Sequence, residues 1–250
     1  MTSVRPAPVG VLLKKIFRVK RQVIETQYGN YFLDPASNLG LTVIESGSYE
    51  PEITQAMVAY LKEGDVCFDV GANEGYHTVV ASKLVGNTGK VIAIEPQNRV
   101  LPILRRNLEA NGCQNVHVVE MAISDNLGEA NLHLTASVNT GPSSLEPNNK
   151  YPLPTQTVKT TTLGCIFDEY EIEHCSLMKM DIEGFEHEAV FGAAELFKTH
   201  RIRTLAIEPT DRLLQQRGHS AQDIASFLRD CGYQLDVRFA NDFYRQVWTV

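Results

Sequence analysis

Two groups of residues in this 250-residue chain have the types and spacing to do chemistry. The first is "CFDVGANEGYHT", residues 67–78, with Glu95 in "AIEP" twenty residues after Gly75. Asp69 closes an apolar run, and Gly71 and Gly75 follow it. A strand–glycine–helix turn presents backbone N–H groups to a ligand at a helix N-terminus. The dinucleotide fingerprint needs G-x-G-x-x-G, and Asn73 stands where its second glycine belongs. The phosphate loop G-x-x-x-x-G-K-[ST] is missing too. The turn therefore lacks a pyrophosphate cradle, which argues against NAD and ATP. S-adenosylmethionine suits it better, because its amino-acid end carries an ammonium and a carboxylate and no phosphate. On this reading Asp69 meets the ammonium, directly or through water. Backbone near Gly71 and the N–H groups opening the helix receive the carboxylate. Glu95 accepts the ribose hydroxyls. Tyr76, His77 and Pro96 flank these positions and are further cofactor candidates. Glu120, Met121 and Ala122 end a third strand and border the adenine, although Met121 suits the core equally well. The competing explanation is an ordinary tight turn followed by a strand-ending acid.

The second group is "MKMDIEGFE", with Lys179, Asp181, Glu183 and Glu186. Methyl transfer from a sulfonium is an in-line displacement, so acceptor, methyl and sulfur must be aligned and water excluded. In an open α/β sheet, ligands sit beyond the carboxyl ends of the strands. Lys179 and Asp181 share a parity and point to the same side of a strand. Asp181 or Glu183 is the candidate general base, and Lys179 the group that orients it. Glu208, in the later "AIEP", converges on the same rim and is a candidate acceptor contact. Three carboxylates at one rim are also compatible with a divalent cation. The preferred reading uses no metal, since acids at strand ends are common. Ion pairing that orders the turn is the plain alternative, and Glu186 suits it best. His133 and His187 have no partner at a persuasive spacing. Asn139, Ser143 and Ser144 sit in a polar loop and either bind a polar acceptor or only make turns. Tyr49, Glu50 and Glu52 open a helix, and the acids there complement its dipole.

These residues need a frame. From residue 65 apolar strands alternate with helices. "DVCFDV", "GKVIAIEP", "VHVVEMAI", "SLMKMDI" and "RTLAIEP" read as strands. "GYHTVVASKL", "VLPILRRNLEANG", "FEHEAVFGAAELFK" and "SAQDIASFLRDCG" read as helices, the last capped by Ser220. That rhythm predicts a mostly parallel sheet covered on both faces. "GEANLHLT" and "TQTVKTTTL" interrupt it as an antiparallel arm inserted near 126–163, and "YQLDVR" and "YRQVWTV" close the sheet. Residues 1–60 form an N-terminal extension of a helix at 8–20, a hairpin turning at Gly29-Asn30, and a helix from "SYEPEITQ" that ends at Gly64. The domain proper covers 61–250.

Composition narrows the class. A formal net charge of -7 argues against a general nucleic-acid partner. The 43% hydrophobic and 21% charged fractions are those of a globular domain. Five scattered cysteines without a C-x-x-C pair predict reduced thiols and a cytoplasmic setting. No apolar run reaches the ~18 residues of a membrane span.

The blocks "FDVGANEGYHT", "GKVIAIEPQNRVLPILRRNLEANG", "VVEMAISDNLGEANLHL", "PSSL", "MKMDIEGFEHEAVFGA" and "AIEPT" occur in the order found in FkbM-type methyltransferases, which this sequence resembles. The resemblance implies a seven-stranded class I, Rossmann-like methyltransferase sheet and S-adenosylmethionine as methyl donor. It implies Asp69, Gly71, Asn73, Gly75 and Glu95 as cofactor residues, and it puts the region of Tyr49, Glu50 and Glu52 near the cofactor edge, which the helix-dipole role of those acids explains equally well. It also implies transfer to an acceptor oxygen on a sugar or other small natural product, or to a protein asparagine amide. An amide would need strong polarising groups, and the "NPPY"-like loop of many amide methylating enzymes is missing. A tRNA methyltransferase and a non-catalytic cofactor-binding protein are the remaining readings; the acidic balance opposes the first, and the strand-end acids oppose the second. Gly164 departs from the family's usual Thr-Leu-Asp, as either a lost helix cap or an altered acceptor pocket.

Overall fold

The computed structural model describes residues 16–134, 155–239 and 246–250. A hairpin of β1 (Gln22–Thr26) and β2 (Gly29–Leu33) comes first. Its turn is Gln27-Tyr28, two residues before the expected Gly29-Asn30, because the Thr26 hydroxyl accepts the N–H groups of Tyr28 and Gly29. That local bond fixes the register. Of the expected helix at 8–20, residues 8–15 lie outside the described residues, and Arg18 has a left-handed φ of 49° that ends any helix there. The sequence reading missed the Asn38–Ser46 helix. Its signals are an N-cap at Ser37, which accepts from Gly40 N–H, and a left-handed Gly47 at its end. The Pro51–Tyr60 helix starts on its proline as expected and stops short of Gly64.

The main sheet has seven strands. In chain order they are β3 (Val66–Val70), β4 (Lys90–Ile94), β5 (Val116–Val119), β9 (Leu177–Met180), β10 (Thr204–Ile207), β11 (Gln234–Leu235) and β12 (Gln246–Thr249), with β6 to β8 in a separate arm. Their spatial order is β11-β12-β10-β9-β3-β4-β5. The pairs from β5 across to β10 are parallel, and β12 is antiparallel to both of its neighbours. The chain builds outward from β3 to β5, then returns to start β9 on the other side of β3. That reversal opens a crevice above the ends of β3 and β9, where open α/β sheets bind ligands.

Period-2 alternation splits the strands between two cores. Phe68, Val70, Ile92, Ile94, Met178 and Met180 face a core with Phe167, Phe197 and Trp248. Cys67, Val91, Ala93 and Leu177 face the other, with Met57, Val79 and Leu104. Asp69 and Lys179 are register partners on this second face. The chemistry-bearing groups are therefore set by the same alternation that fills the core.

Three elements differ from the sequence reading. "VHVVEMAI" is not one strand. β5 ends at Val119, and Ala122–Ile123 (β6) pairs instead with the arm, in a sheet ordered β6-β8-β7 with β7 at Gly128–His133 and β8 at Thr155–Thr161. "FEHEAVFGAAELFK" is two short helices, Glu186–Phe191 and Ala194–Lys198, broken at Gly192, where a Cβ would lie 2.7 Å from the Asp125 backbone. The Asp211–Gln216 helix was not foreseen. The Ala221–Asp230 helix has the expected Ser220 cap, completed by Asp223 into a capping box. Among the described residues no helix is long and apolar enough to cross a membrane.

Candidate active site

Asp69, Lys179 and Asp181 form a wired row at the ends of β3 and β9. Asp69 is fully buried; its Oδ2 accepts from the Thr78 hydroxyl at 2.6 Å, and its Oδ1 faces Lys179 Nζ at 3.6 Å. Lys179 donates to the Gly71 carbonyl at 2.9 Å and lies 3.8 Å from Asp181 Oδ2. Burial opposes the charge on Lys179, but Asp69, Asp181, Glu50 and Glu208 together more than offset that and hold it protonated above its ordinary value. Lys179 is thus a fixed cation lying between Asp69 and Asp181.

The Gly71–Gly75 turn sits directly on this row. Gly71 and Ala72 donate their N–H groups to Ile94 O, and Gly71 has φ +84°. A Cβ on Gly71 would lie 1.9 Å from the Asp181 carbonyl oxygen. We expect Gly71→Ala to cost about 2–5 kcal/mol, combining a left-handed residue with overpacking against backbone. Urea denaturation checks this; a cost below 1 kcal/mol would remove the close approach from the design. Asn73 takes a left-handed φ of 49°, which its side chain tolerates, and its N–H donates to Glu95 Oε2 at 2.8 Å. Gln97 N–H donates to Glu95 Oε1 at 2.8 Å. Burial pushes Glu95 up to about 7, and these two N–H groups and Lys179 offset only part of it. Gly75 is the left-handed N-cap of the Tyr76–Val85 helix, packed so that a Cβ would lie 2.5 Å from Leu104 Cδ1.

A cavity of about 240 Å³ opens above these groups. Asn73, Tyr76, His77, Glu95, Pro96, Met121, Ala122, Lys179, Asp181, Glu183 and Glu208 all line it, as does backbone at Gly71. Three expected cofactor residues do not reach it. Asp69 is absent from this lining and sealed beneath the turn, with Oδ2 accepting from the Thr78 hydroxyl and Oδ1 3.6 Å from Lys179 Nζ without a hydrogen bond. Gly75 serves the packing just described. Glu120 points outward and pairs with Arg105, because β5 ends at Val119 and the half-exposed residue after it turns away from the crevice. His77 is buried, with Nδ1 3.9 Å from Glu50 Oε2. Glu186 is structural: its carboxylate caps the turn by accepting the Ile182 and Gly184 N–H groups. Burial pushes it up to about 7. Asn139, Ser143 and Ser144 lie outside the described residues.

Glu50, explained equally well in the sequence by a place near the cofactor edge or by a helix-opening role, is a functional candidate on its position in the cavity. It is 7% exposed, takes a strained left-handed φ of 44°, and does not cap its own helix. Its carboxylate instead enters the cavity, where single oxygens of Glu50, Asp181 and Glu208 lie within 4.8 Å of one another. That left-handed φ is not readable from the chain, and Glu50 is buried beside His77. Glu183, also left-handed with φ 52°, is pushed up to about 8 by burial and by Asp181, Glu186 and Glu208. The arm closes one wall: Gln156 on β8 donates to Pro96 O and accepts from Asn98 N–H, and Leu132 and Ile123 line the cavity. Gly164 is not among the described residues of this lining, and Thr162 caps its helix by accepting the Cys165 N–H, so the helix keeps a cap without the family Asp. A second group of ligand-type side chains, His187, Glu188 and His219, lies elsewhere. Its two imidazoles are stacked at 3.6 Å with 9° between planes, so their in-plane lone pairs do not converge.

These residues fit S-adenosylmethionine. Asn73 Oδ1 is buried in the cavity wall without a hydrogen-bond partner among the described residues. Glu95 presents a carboxylate held by two N–H groups, Met121, Ala122, Ile123 and Leu132 offer an apolar slot, and the first turn of the Tyr76–Val85 helix brings positive partial charge to the floor.

Comparison with known proteins agrees. A family model described as the methyltransferase FkbM domain matches residues 69–235. Protein-L-isoaspartate O-methyltransferase 1 of Archaeoglobus fulgidus is 37% identical over 59 residues, 24% of this chain and 27% of that protein. The "Probable cobalt-precorrin-6B C(15)-methyltransferase (decarboxylating)" of Saccharolobus solfataricus is 42% identical over 55 residues, 22% of this chain and 28% of that protein. The chain thus spans little more than a quarter of the length of these curated relatives. A solved candidate rRNA methylase of Clostridium thermocellum superposes with a TM-score of 0.50 at 11% identity, covering 79% of this chain and 92% of that one, and shows the shared fold alone.

Proposed function

We propose that this chain, which belongs to the FkbM methyltransferase domain family and is an S-adenosylmethionine-dependent methyltransferase, methylates a hydroxyl oxygen on a sugar or another small natural product. The observation that carries this reading is the pair Asp181 and Glu183 above a fixed Lys179. Asp181 is partly exposed in the cavity with Lys179 3.8 Å away, and Glu183 beside it is pushed up to about 8. Burial and the neighbouring acids favour the protonated form of Glu183, which divides the roles between two adjacent carboxyls: Glu183 donates, and Asp181, beside the Lys179 cation, accepts. Asp181 takes the acceptor hydroxyl proton, and protonated Glu183 donates a hydrogen bond that places the acceptor oxygen.

S-adenosylmethionine supplies an electrophilic methyl on sulfur. Glu95 holds its ribose, the Met121–Ile123 edge holds its adenine, and the Tyr76–Val85 helix N-terminus receives its carboxylate. Glu50 takes the ammonium role that Asp69 is too deeply buried to fill. Glu208 lies on the acceptor side. Lys179 supplies the fixed positive charge beside the base, so the reaction proceeds without a divalent cation, although Glu50, Asp181 and Glu208 come together.

The test is transfer of labelled methyl from S-adenosylmethionine to a panel of sugars, hydroxylated natural products and asparagine-containing peptides. The expected product carries a new O–CH₃ signal by NMR, formed at the same rate in EDTA. Methylation of the peptides alone would replace the acceptor assignment. Loss of activity in EDTA, restored by magnesium, would replace the metal-free one.

A further inference from the structure

The N-terminal hairpin precedes the region matched by the family model, and nothing so far gives it a task. It grips the cofactor turn at successive points. Arg21, at the foot of β1, makes two parallel bonds to Glu74: Nη1 to Oε2 at 2.8 Å and Nη2 to Oε1 at 2.6 Å. Glu74 lies inside the Gly71–Gly75 turn, and its side chain is 1% exposed. The Glu74 backbone carbonyl accepts from Asn107 Nδ2 at 2.7 Å, and Asn107 Oδ1 accepts the Phe32 N–H of β2 at 2.6 Å. Tyr31 of β2 donates its hydroxyl to the Tyr76 carbonyl at 3.3 Å and stacks on the Tyr76 ring at 4.8 Å. Asn111 closes the outer end through two bonds with Asn30.

This pattern exceeds what anchoring a hairpin requires. The helix face could hold it by apolar packing alone, yet both the side chain and the carbonyl of one turn residue are pinned. The turn itself is costly to hold, with left-handed residues at Gly71, Asn73 and Gly75. Such backbone persists only when its surroundings over-determine it. A buried, bidentate guanidinium–carboxylate pair fixes direction as well as distance, which a lysine cannot do.

We infer that Arg21 is a positioning residue for the methyl donor: through Glu74 it holds the Asn73–Tyr76 backbone in the conformation that receives the donor's amino-acid end. The inference rests on the reading that this turn is the seat of S-adenosylmethionine. Coupling of this kind is reciprocal, so ligand binding tightens the hairpin in return.

Calorimetry with S-adenosylhomocysteine tests it on the full chain. Arg21→Met is expected to raise the dissociation constant about tenfold, and Arg21→Lys less, within the range usual for coupled sites. The turnover number at saturating S-adenosylmethionine stays within about twofold, the signature of a lost binding interaction. Arg21→Met strands a buried charge, so Arg21→Met with Glu74→Gln separates positioning from bulk stability. Recovery of the melting temperature with the dissociation constant still raised supports positioning. Recovery of both together overturns it, as does an unchanged dissociation constant in Arg21→Lys. In the wild type, S-adenosylhomocysteine should slow amide exchange in residues 22–33 as well as 71–79; protection of the turn alone also overturns the inference. Glu95→Ala distinguishes the two levels: if it too leaves binding unchanged, the cofactor seat is wrong, and if it weakens binding while Arg21 variants do not, only the hairpin's role is wrong.

Discussion

Asp181→Asn is expected to lower kcat by about 10²- to 10⁴-fold, the usual contribution of a positioned general base. The substitution keeps the shape and removes the proton acceptor. The backbone that places the residue is untouched, because Asp181 N–H still donates to Val70 O at 3.0 Å. Lys179 keeps its contacts with Asp69 and the Gly71 carbonyl, so the turn above it stays in place. Binding of S-adenosylhomocysteine should therefore change by no more than about twofold, and the loss should fall on kcat and kcat/KM alike. Single-turnover and calorimetric measurements on one preparation check both halves. Normal turnover would remove Asp181 as the base and leave Glu183, whose ionised form grows only near and above pH 8. A rate–pH profile rising below pH 8 in that variant, where the Asp181 charge that helps raise Glu183 is gone, would identify it.

Glu95→Ala should act on the other side of the reaction. A carboxylate that accepts two ribose hydroxyls contributes about 2–4 kcal/mol, or roughly 30- to 1000-fold in affinity. The same carboxylate also orders the turn through the Asn73 and Gln97 N–H groups, so part of the loss comes from the loosened backbone. The pH dependence separates these parts. Burial pushes Glu95 up to about 7, above its ordinary carboxylate value. Its contribution to folding stability is therefore full below pH ~4.5 and declines as pH rises through about 7. Ligand binding runs the opposite way, since the ionised carboxylate is the better acceptor. Affinity for S-adenosylhomocysteine should rise about tenfold between pH 6 and 8 and then level off. Glu95→Gln should bind more weakly than wild type at pH 8 and lose that rise. A rise that survives in Glu95→Gln would assign it to another group.

The contrast between Asp69 and Glu50 explains where sequence reading worked and where it failed. Both are acids beside a turn or a helix start, and nothing in their local sequence ranks them. Asp69 lies in a strand whose alternation is legible, so its side of the sheet could be read. Its depth could not, because Thr78 and Lys179 close over it from a helix and a neighbouring strand. Glu50 was legible as a helix opener, but its entry into the cavity depends on packing against His77, 27 positions later in the chain. Glu120 failed for a related reason: the strand ends at Val119, one residue before it, and Arg105 draws the side chain outward.

The chain by itself determined the strand–turn–helix rhythm, the glycine turn without a pyrophosphate cradle, Glu95 at the next strand end, and the shared side of Lys179 and Asp181. These are local matters of period, backbone freedom and residue type. Only the tertiary structure decided which acids reach the cavity, which carboxyls burial pushes up, and that the hairpin bonds to the Gly71–Gly75 turn. Burial and charge neighbourhood arise from contacts between residues far apart in sequence, such as Arg21 with Glu74 and Glu50 with Asp181, and no local pattern encodes those distances.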